Sequence, residues 1–178
     1  AAFILHALLC TGLTERVRRA LEWFPGRQTV TGFFRSQNGE WDSNGEALWI
    51  MNRYCALTGR PPPEEWKTAV RRGGHWIQRK RLSYLGGAPH AGLFPAGFSA
   101  EHLGSNDYYY WDDFWGVAGL RAAADLLERL GESAHVEEFR READHFLDAI
   151  EQSVEQASRR LGRPILPAAP YRRMDSGA

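Results

Sequence analysis

Cysteine is scarce: the 178 residues hold two, Cys10 and Cys55. Each sits in an apolar stretch of helical spacing, so both are expected to be buried thiols rather than halves of a disulfide in a secreted fold. No Cys/His cluster has the spacing of zinc ligands, and the six histidines (His6, His75, His90, His102, His135 and His145) are scattered, so no metal or cofactor is expected. Net charge is missing as well, with 22 Lys and Arg against 22 Asp and Glu. Binders of nucleic acid or membrane surfaces normally carry a basic excess, so neither partner is expected. Arg-rich stretches at 16–19, 71–81 and 159–173 alternate with apolar residues at helical spacing, which reads as solvated helix faces. Long apolar runs are absent. The opening "AAFILHALLC" is too short to span a bilayer, and as a signal peptide it lacks a preceding basic segment and a following cleavage site. It reads as a core helix, and the balance favours the cytoplasm over export. Strand patterning is almost lacking too: "QTVTGFF", residues 28–34, is the only β-like run, and it is short.

What remains is helical. Residues 1–11 are apolar and stop at Gly12. Thr14 is placed to N-cap a second helix with Val17, Ala20, Leu21 and Phe24 on one face, stopped by Pro25-Gly26. "SNGE", residues 43–46, has capping-box form, with Glu46 as the partner of Ser43, and opens a helix that ends at Gly59 before three prolines. Further helices are expected over about 64–79, 109–130 and 133–160, the last with an apolar stripe through Phe139, Ala143, Phe146 and Ile150. Connections alternate between tight ones at 12–13, 59–63 and 131–132 and long ones at 25–42, 81–107 and 161–178. That alternation predicts antiparallel helical hairpins with every long loop at the same end.

The long loops share a pattern. They close on "EWDSNGEA", "YWDDFWGVA" and "RMDSGA", which place Asp42, Asp112 and Asp175 before a helix or in its first turn, each preceded by Trp41, Trp111 or Met174. One such Asp reads as a cap that favours the helix dipole; three on one rim point to a repeated two-helix unit and a site. In "NDYYYWDDFWG", residues 106–116, aromatic faces crowd around carboxylates. Sugars present apolar C–H faces and hydroxyl edges, so a ring that stacks and a carboxylate that accepts hydroxyl hydrogen bonds match both. Asp112 and Asp113 diverge as helix neighbours, and Phe114 and Trp115 are expected in the core.

"GEWDSNGEALW", "GLFPAGFSAEHLG" and "DYYYWDDFWGVAGL" resemble the six-hairpin, (α/α)6-toroid glycosidases, which include trehalase-like, glucoamylase-like and glycogen-debranching-like groups. The stretch Tyr110 to Trp115 is similar to the trehalase-type signature, and the likeness spans about residues 25–178. It implies an all-α fold of antiparallel helical hairpins forming about half of the toroid, a single incomplete domain over 1–178, and sugar bound where the long loops meet. It also implies a glycoside hydrolase activity on an oligosaccharide, with inversion of configuration. By position, Trp111 and Asp112 match the pair that grips the non-reducing sugar, and Trp41, Asp42, Tyr110 and His102 join them as substrate-binding candidates.

An inverting mechanism needs an acid at the leaving oxygen and a base on water, about 6.5–9.5 Å apart. Glu101, in the loop "FSAEHLG", and Asp175 are the catalytic candidates. The chain reads as a fragment of a longer helical array, since it opens mid-helix and stops as the third motif begins. The remaining hairpins would then be its partners, self-association through exposed edges is expected, and hydrolysis by these residues alone is not. The rival reading is a non-catalytic helical-repeat scaffold or carbohydrate-binding module. "DDFWG" also begins like the DDxxD magnesium motif of prenyl-diphosphate enzymes, but Gly116 replaces the last Asp. Lanthionine-cyclase-like toroids need Cys/His zinc ligands that are missing.

Overall fold

The computed structural model describes residues 1–98 and 105–172. The chain is all-α. Among the described residues seven α-helices run α1 Ala2–Cys10, α2 Thr14–Leu21, α3 Trp23–Gly26, α4 Ser43–Thr58, α5 Lys67–Lys80, α6 Tyr110–Arg129 and α7 Val136–Leu161, with 3-10 turns at Glu64–Trp66 and Ser133–His135 leading into α5 and α7. Among the described residues no strand forms. The β-like run makes one isolated bridge, Gln28 with Phe34, and Gly97 bridges Asp107 across the second long loop.

Chemistry at the ends explains most boundaries. α4 and α7 end on Gly59 and Gly162, both left-handed (φ +69° and +68°), where any other residue would strain. Two expected caps are not used. Leu13, not Thr14, is the N-cap of α2, and Thr14 is its first residue. Ser43 turns its hydroxyl back to the Phe34 carbonyl (2.9 Å) and leaves the N-cap of α4 to Asp42, so the capping box does not form. Pro25 sits inside the short α3 instead of stopping α2. Of the two cysteines Cys55 is buried, with its thiol pushed up to about 11 by burial, whereas Cys10 is exposed.

The helices pack in two layers. α1, α4 and α6 contact one another in succession, while α2 packs on α1 and α4, α5 on α4 and α6, and α7 on α6. Contacts fix directions. The Ala1 amino group pairs with Glu46 of α4 and His6 of α1 meets Trp49 further along; Gly45 of α4 meets Trp115 of α6, and Asn52 meets Asp125 further along, so α1, α4 and α6 run parallel. Tyr54 with Trp66 and Leu48 with Gly73 run α5 against α4, and Tyr110 with Ser153 runs α7 against α6. These are the hairpins the loop lengths predict.

Glycines set the closest approaches. A Cβ on Gly119 would lie 2.6 Å from the Gly45 Cα, and one on Gly45 would strike the Trp115 carbonyl, so α4 and α6 touch backbone to backbone. Gly116 makes room for Phe146 and Phe94 in the same way. Around them the core gathers Leu48, Ile77, Leu120, Leu127, Phe139 and Ile150, each at most 1% exposed. One Arg-rich stretch departs from a solvated face: the Arg81 side chain is 3% exposed, ion-paired with Glu142, with its guanidinium 4.1 Å from the Phe146 ring centroid. Burial lowers its pKa against the pull of Glu142.

Candidate functional site

Because α1, α4 and α6 run parallel, the loops that precede α4 and α6 meet at one end. Phe98 N–H donates to the Gly39 carbonyl (2.9 Å), and the Trp41 indole N–H donates to the Pro95 carbonyl (3.0 Å), stitching the first long loop to the second. The third loop joins through Tyr110 N–H to the Ala168 carbonyl and through Arg172, whose Nε donates to Asp107 (2.8 Å). Arg172 and Asp107 are 13% and 16% exposed, so this ion pair is largely shielded from water.

Two of the repeated motifs meet directly. The Trp111 indole N–H, in the first turn of α6, donates to Asp42 Oδ2 at the start of α4 over 2.9 Å. Asp42 is 9% exposed and Asp112 2%. Trp111 remains half-buried and continues into a ring cluster with Trp115 (6.0 Å) and Phe3 (6.3 Å) along the parallel helices. Asp42 also lines a cleft of about 410 Å³. Glu40, Glu46, Arg27 and Arg35 line it as well, with Phe24 and Phe34 supplying apolar wall. The cleft therefore combines carboxylate acceptors, guanidinium donors and ring faces, a set suited to a polyhydroxylated ligand.

The structure sorts the expected residues. Asp42 and Trp111 come together at the rim, whereas Asp112 is enclosed. Trp41 lies at the same rim but is taken up structurally: Lys80 Nζ sits 3.6 Å from the centre of its ring, and its N–H is spent on Pro95. Tyr110 belongs to the core and not to a binding surface. It is 2% exposed, and its hydroxyl pairs with Ser153 (2.7 Å); burial pushes its pKa up to about 12. Phe114 corrects the core assignment in the other direction, at 43% exposure, and Trp115 is half-buried. Glu101, His102 and Asp175 lie outside the described residues.

The tyrosines of the aromatic run mostly fasten loops. Tyr108 stacks on His90 (4.4 Å, 9° between planes), whose Nδ1 is 2.6 Å from the Tyr171 hydroxyl, and the Tyr109 hydroxyl donates to the Ser105 carbonyl and receives Arg172. Asp113 is engaged inside the fold. It accepts the Phe94 N–H (2.8 Å) at 1% exposure, while its second oxygen is buried with no hydrogen-bond partner. Burial pushes its pKa up to about 8, against the opposing pull of the Phe94 N–H and the Arg81 charge.

Sequence reasoning missed Arg27 and Arg35 in the cleft wall, because an Arg in a loop carries no periodic signal. It read Glu46 as a cap; the cleft beside Asp42 follows from the bend of the preceding loop, which residues alone do not reveal.

Comparison with family models, with curated proteins and with solved structures gave no match. None of the helices among the described residues is long and apolar enough to cross a membrane.

Proposed function

We propose that the rim formed by the long loops is a saccharide-binding site of the glycosidase type, within an arc of an (α/α) toroid, and that Asp42 and Trp111 grip the sugar, with Asp112 enclosed behind them. The observation that carries this reading is the Trp111–Asp42 hydrogen bond, which joins the starts of two parallel helices beside a cleft rich in carboxylates. An indole that holds a carboxylate in place fixes the direction in which that acceptor points, and a ring at the rim offers a face for stacking. The cleft volume, about 410 Å³, accommodates a mono- or disaccharide. Hydrolysis with inversion would need an acid and a base in addition, for which Glu101 and Asp175 remain the sequence's candidates.

Calorimetric titration with a panel of mono- and disaccharides tests the reading. At least one sugar should saturate the wild type, and Asp42→Asn or Trp111→Phe should weaken it about tenfold or more, since charge-assisted bonds are lost or mis-aimed. Absence of saturable binding across the panel would leave a helical scaffold as the better account. One observation favours that second reading: Trp41 and Arg172 spend their polar groups on holding the loops together, and Tyr110 spends its hydroxyl on α7.

A further inference from the structure

We propose that His75, His135 and Glu138 form a binding site for a zinc-class divalent metal ion, on the outer layer of helices and apart from the rim. His75 lies on α5, His135 ends the 3-10 turn after α6, and Glu138 is in the first turn of α7. One donor atom from each falls within 4.8 Å of the others, the one such trio of potential ligands among the described residues. The carboxylate lies between the two imidazoles: Oε2 is 3.1 Å from His135 Nδ1, and Oε1 is 3.8 Å from His75 Nδ1. Tetrahedral zinc bound at about 2.0–2.2 Å brings its donor atoms to about 3.4 Å from one another. The present spacing thus needs only small side-chain rotations to close on an ion.

The surroundings hold the ligands in place. Phe139 lies against both imidazoles, with ring centroids 5.0 Å from His75 and 6.0 Å from His135. It fits there because residue 74 is glycine; a Cβ at that position would meet the Phe139 ring at 2.5 Å. Gln78 brings its side-chain oxygen to 3.3 Å from His75 Nδ1, a contact that orients the imidazole if the ion takes Nε2 and that must be released if it takes Nδ1. The three side chains are 24%, 26% and 34% exposed, so an ion can enter from solvent and a water can complete its shell. Two imidazoles and one carboxylate suit zinc and its first-row neighbours, whereas magnesium and calcium prefer all-oxygen shells. Sequence gave no warning, since His75 is far along the chain from His135-x-x-Glu138 and only the packing of α5 beside the start of α7 unites them.

An ion here would tie two outer helices that otherwise both lean on α6, so binding and stability should move together. The test is calorimetric titration of the metal-free protein with zinc chloride, paired with thermal melts. One equivalent should bind with a dissociation constant in the micromolar range or tighter, and the melting temperature should rise by several degrees. Magnesium chloride should do neither. His135→Ala and Glu138→Gln should each weaken zinc at least about tenfold and abolish the thermal shift, while His90→Ala and His145→Ala should leave both intact. Glu138→Gln keeps the shape of the side chain and guards against simple unfolding, which circular dichroism would reveal. Failure of zinc to bind, or binding that persists unchanged in both ligand variants, would mean that the trio is only a histidine–carboxylate hydrogen-bond network.

Discussion

Asp113 is the residue whose burial has the clearest consequence. Its neutral form is the one the fold favours, so the folded chain holds a proton that the unfolded chain releases near pH 4. The stability this contributes is complete below the unfolded pKa, falls as pH rises, and is lost above about 8. Asp113→Asn keeps an acceptor for the Phe94 N–H and removes the titration. The variant should therefore gain on the wild type between pH 5 and pH 9 by roughly 1–3 kcal/mol, the usual scale for a buried polar group left poorly satisfied. Denaturant melts at the two pH values check this, and a constant difference between the proteins would contradict it. Asp113 also marks the limit of what single residues disclose. Divergence of Asp112 and Asp113 follows from helix geometry alone. Which side of the helix is wet does not follow, because Tyr110, Trp111, Phe114 and Trp115 present large rings in every direction. The sequence placed Tyr110 at the sugar and Phe114 in the core; the pairing of Tyr110 with Ser153 on a distant helix reverses both.

At the scale of elements the sequence is far more legible. Expected spans over 43–58, 64–79, 109–130 and 133–160 match α4 to α7 to within a few residues, the differences being short 3-10 turns that precede α5 and α7. Gly and Pro punctuation and a 3.6-residue apolar period act locally, so the residues themselves carry them. The crossing of α4 and α6 was not legible, since Gly45 and Gly119 look like weak points in a helix until they are seen to face each other. Gly45→Ala should cost about 2 kcal/mol or more despite the better helix propensity of alanine, because the backbone it strikes cannot swing aside. Gly26→Ala, with no atom within 4 Å of the new methyl, should be neutral or slightly stabilising. Urea unfolding of the two variants side by side makes the comparison, and equal losses would remove the argument for close contact.

Across the whole molecule, α6 touches α4, α5 and α7, so the α4–α5 and α6–α7 hairpins share it, and the α1–α2 hairpin joins them through α4. Unfolding should then be a single event. The seven tryptophans provide a probe, being spread over α3, the first loop, α4, the turn before α5, α5 itself and α6. Their fluorescence and the helical circular dichroism signal should follow coincident curves in urea. Separate midpoints would show that α1 and α2 melt apart from the rest. Alternating loop lengths announced this arrangement of hairpins, because a tight turn forces neighbours antiparallel. The meeting of three loops at the rim, stitched by Trp41 and Arg172, depends on bonds between distant segments, which no local pattern encodes.

The glycine contact between α4 and α6 also bears on the order in which the chain assembles. Within a hairpin, partners are near in sequence and find each other quickly, whereas Gly45 and Gly119 are separated by an entire outer helix and two connections. Docking of these two surfaces should come after the barrier, once the hairpins exist. In stopped-flow experiments Gly119→Ala should then leave the refolding rate nearly unchanged and accelerate unfolding, the signature of a contact absent from the transition state. A slowed refolding phase would place the glycine pair in the nucleus instead. On the expected outcome, the tightest seam of the native protein is the last to close and the first to open, and it governs how long the folded chain persists rather than how fast it forms.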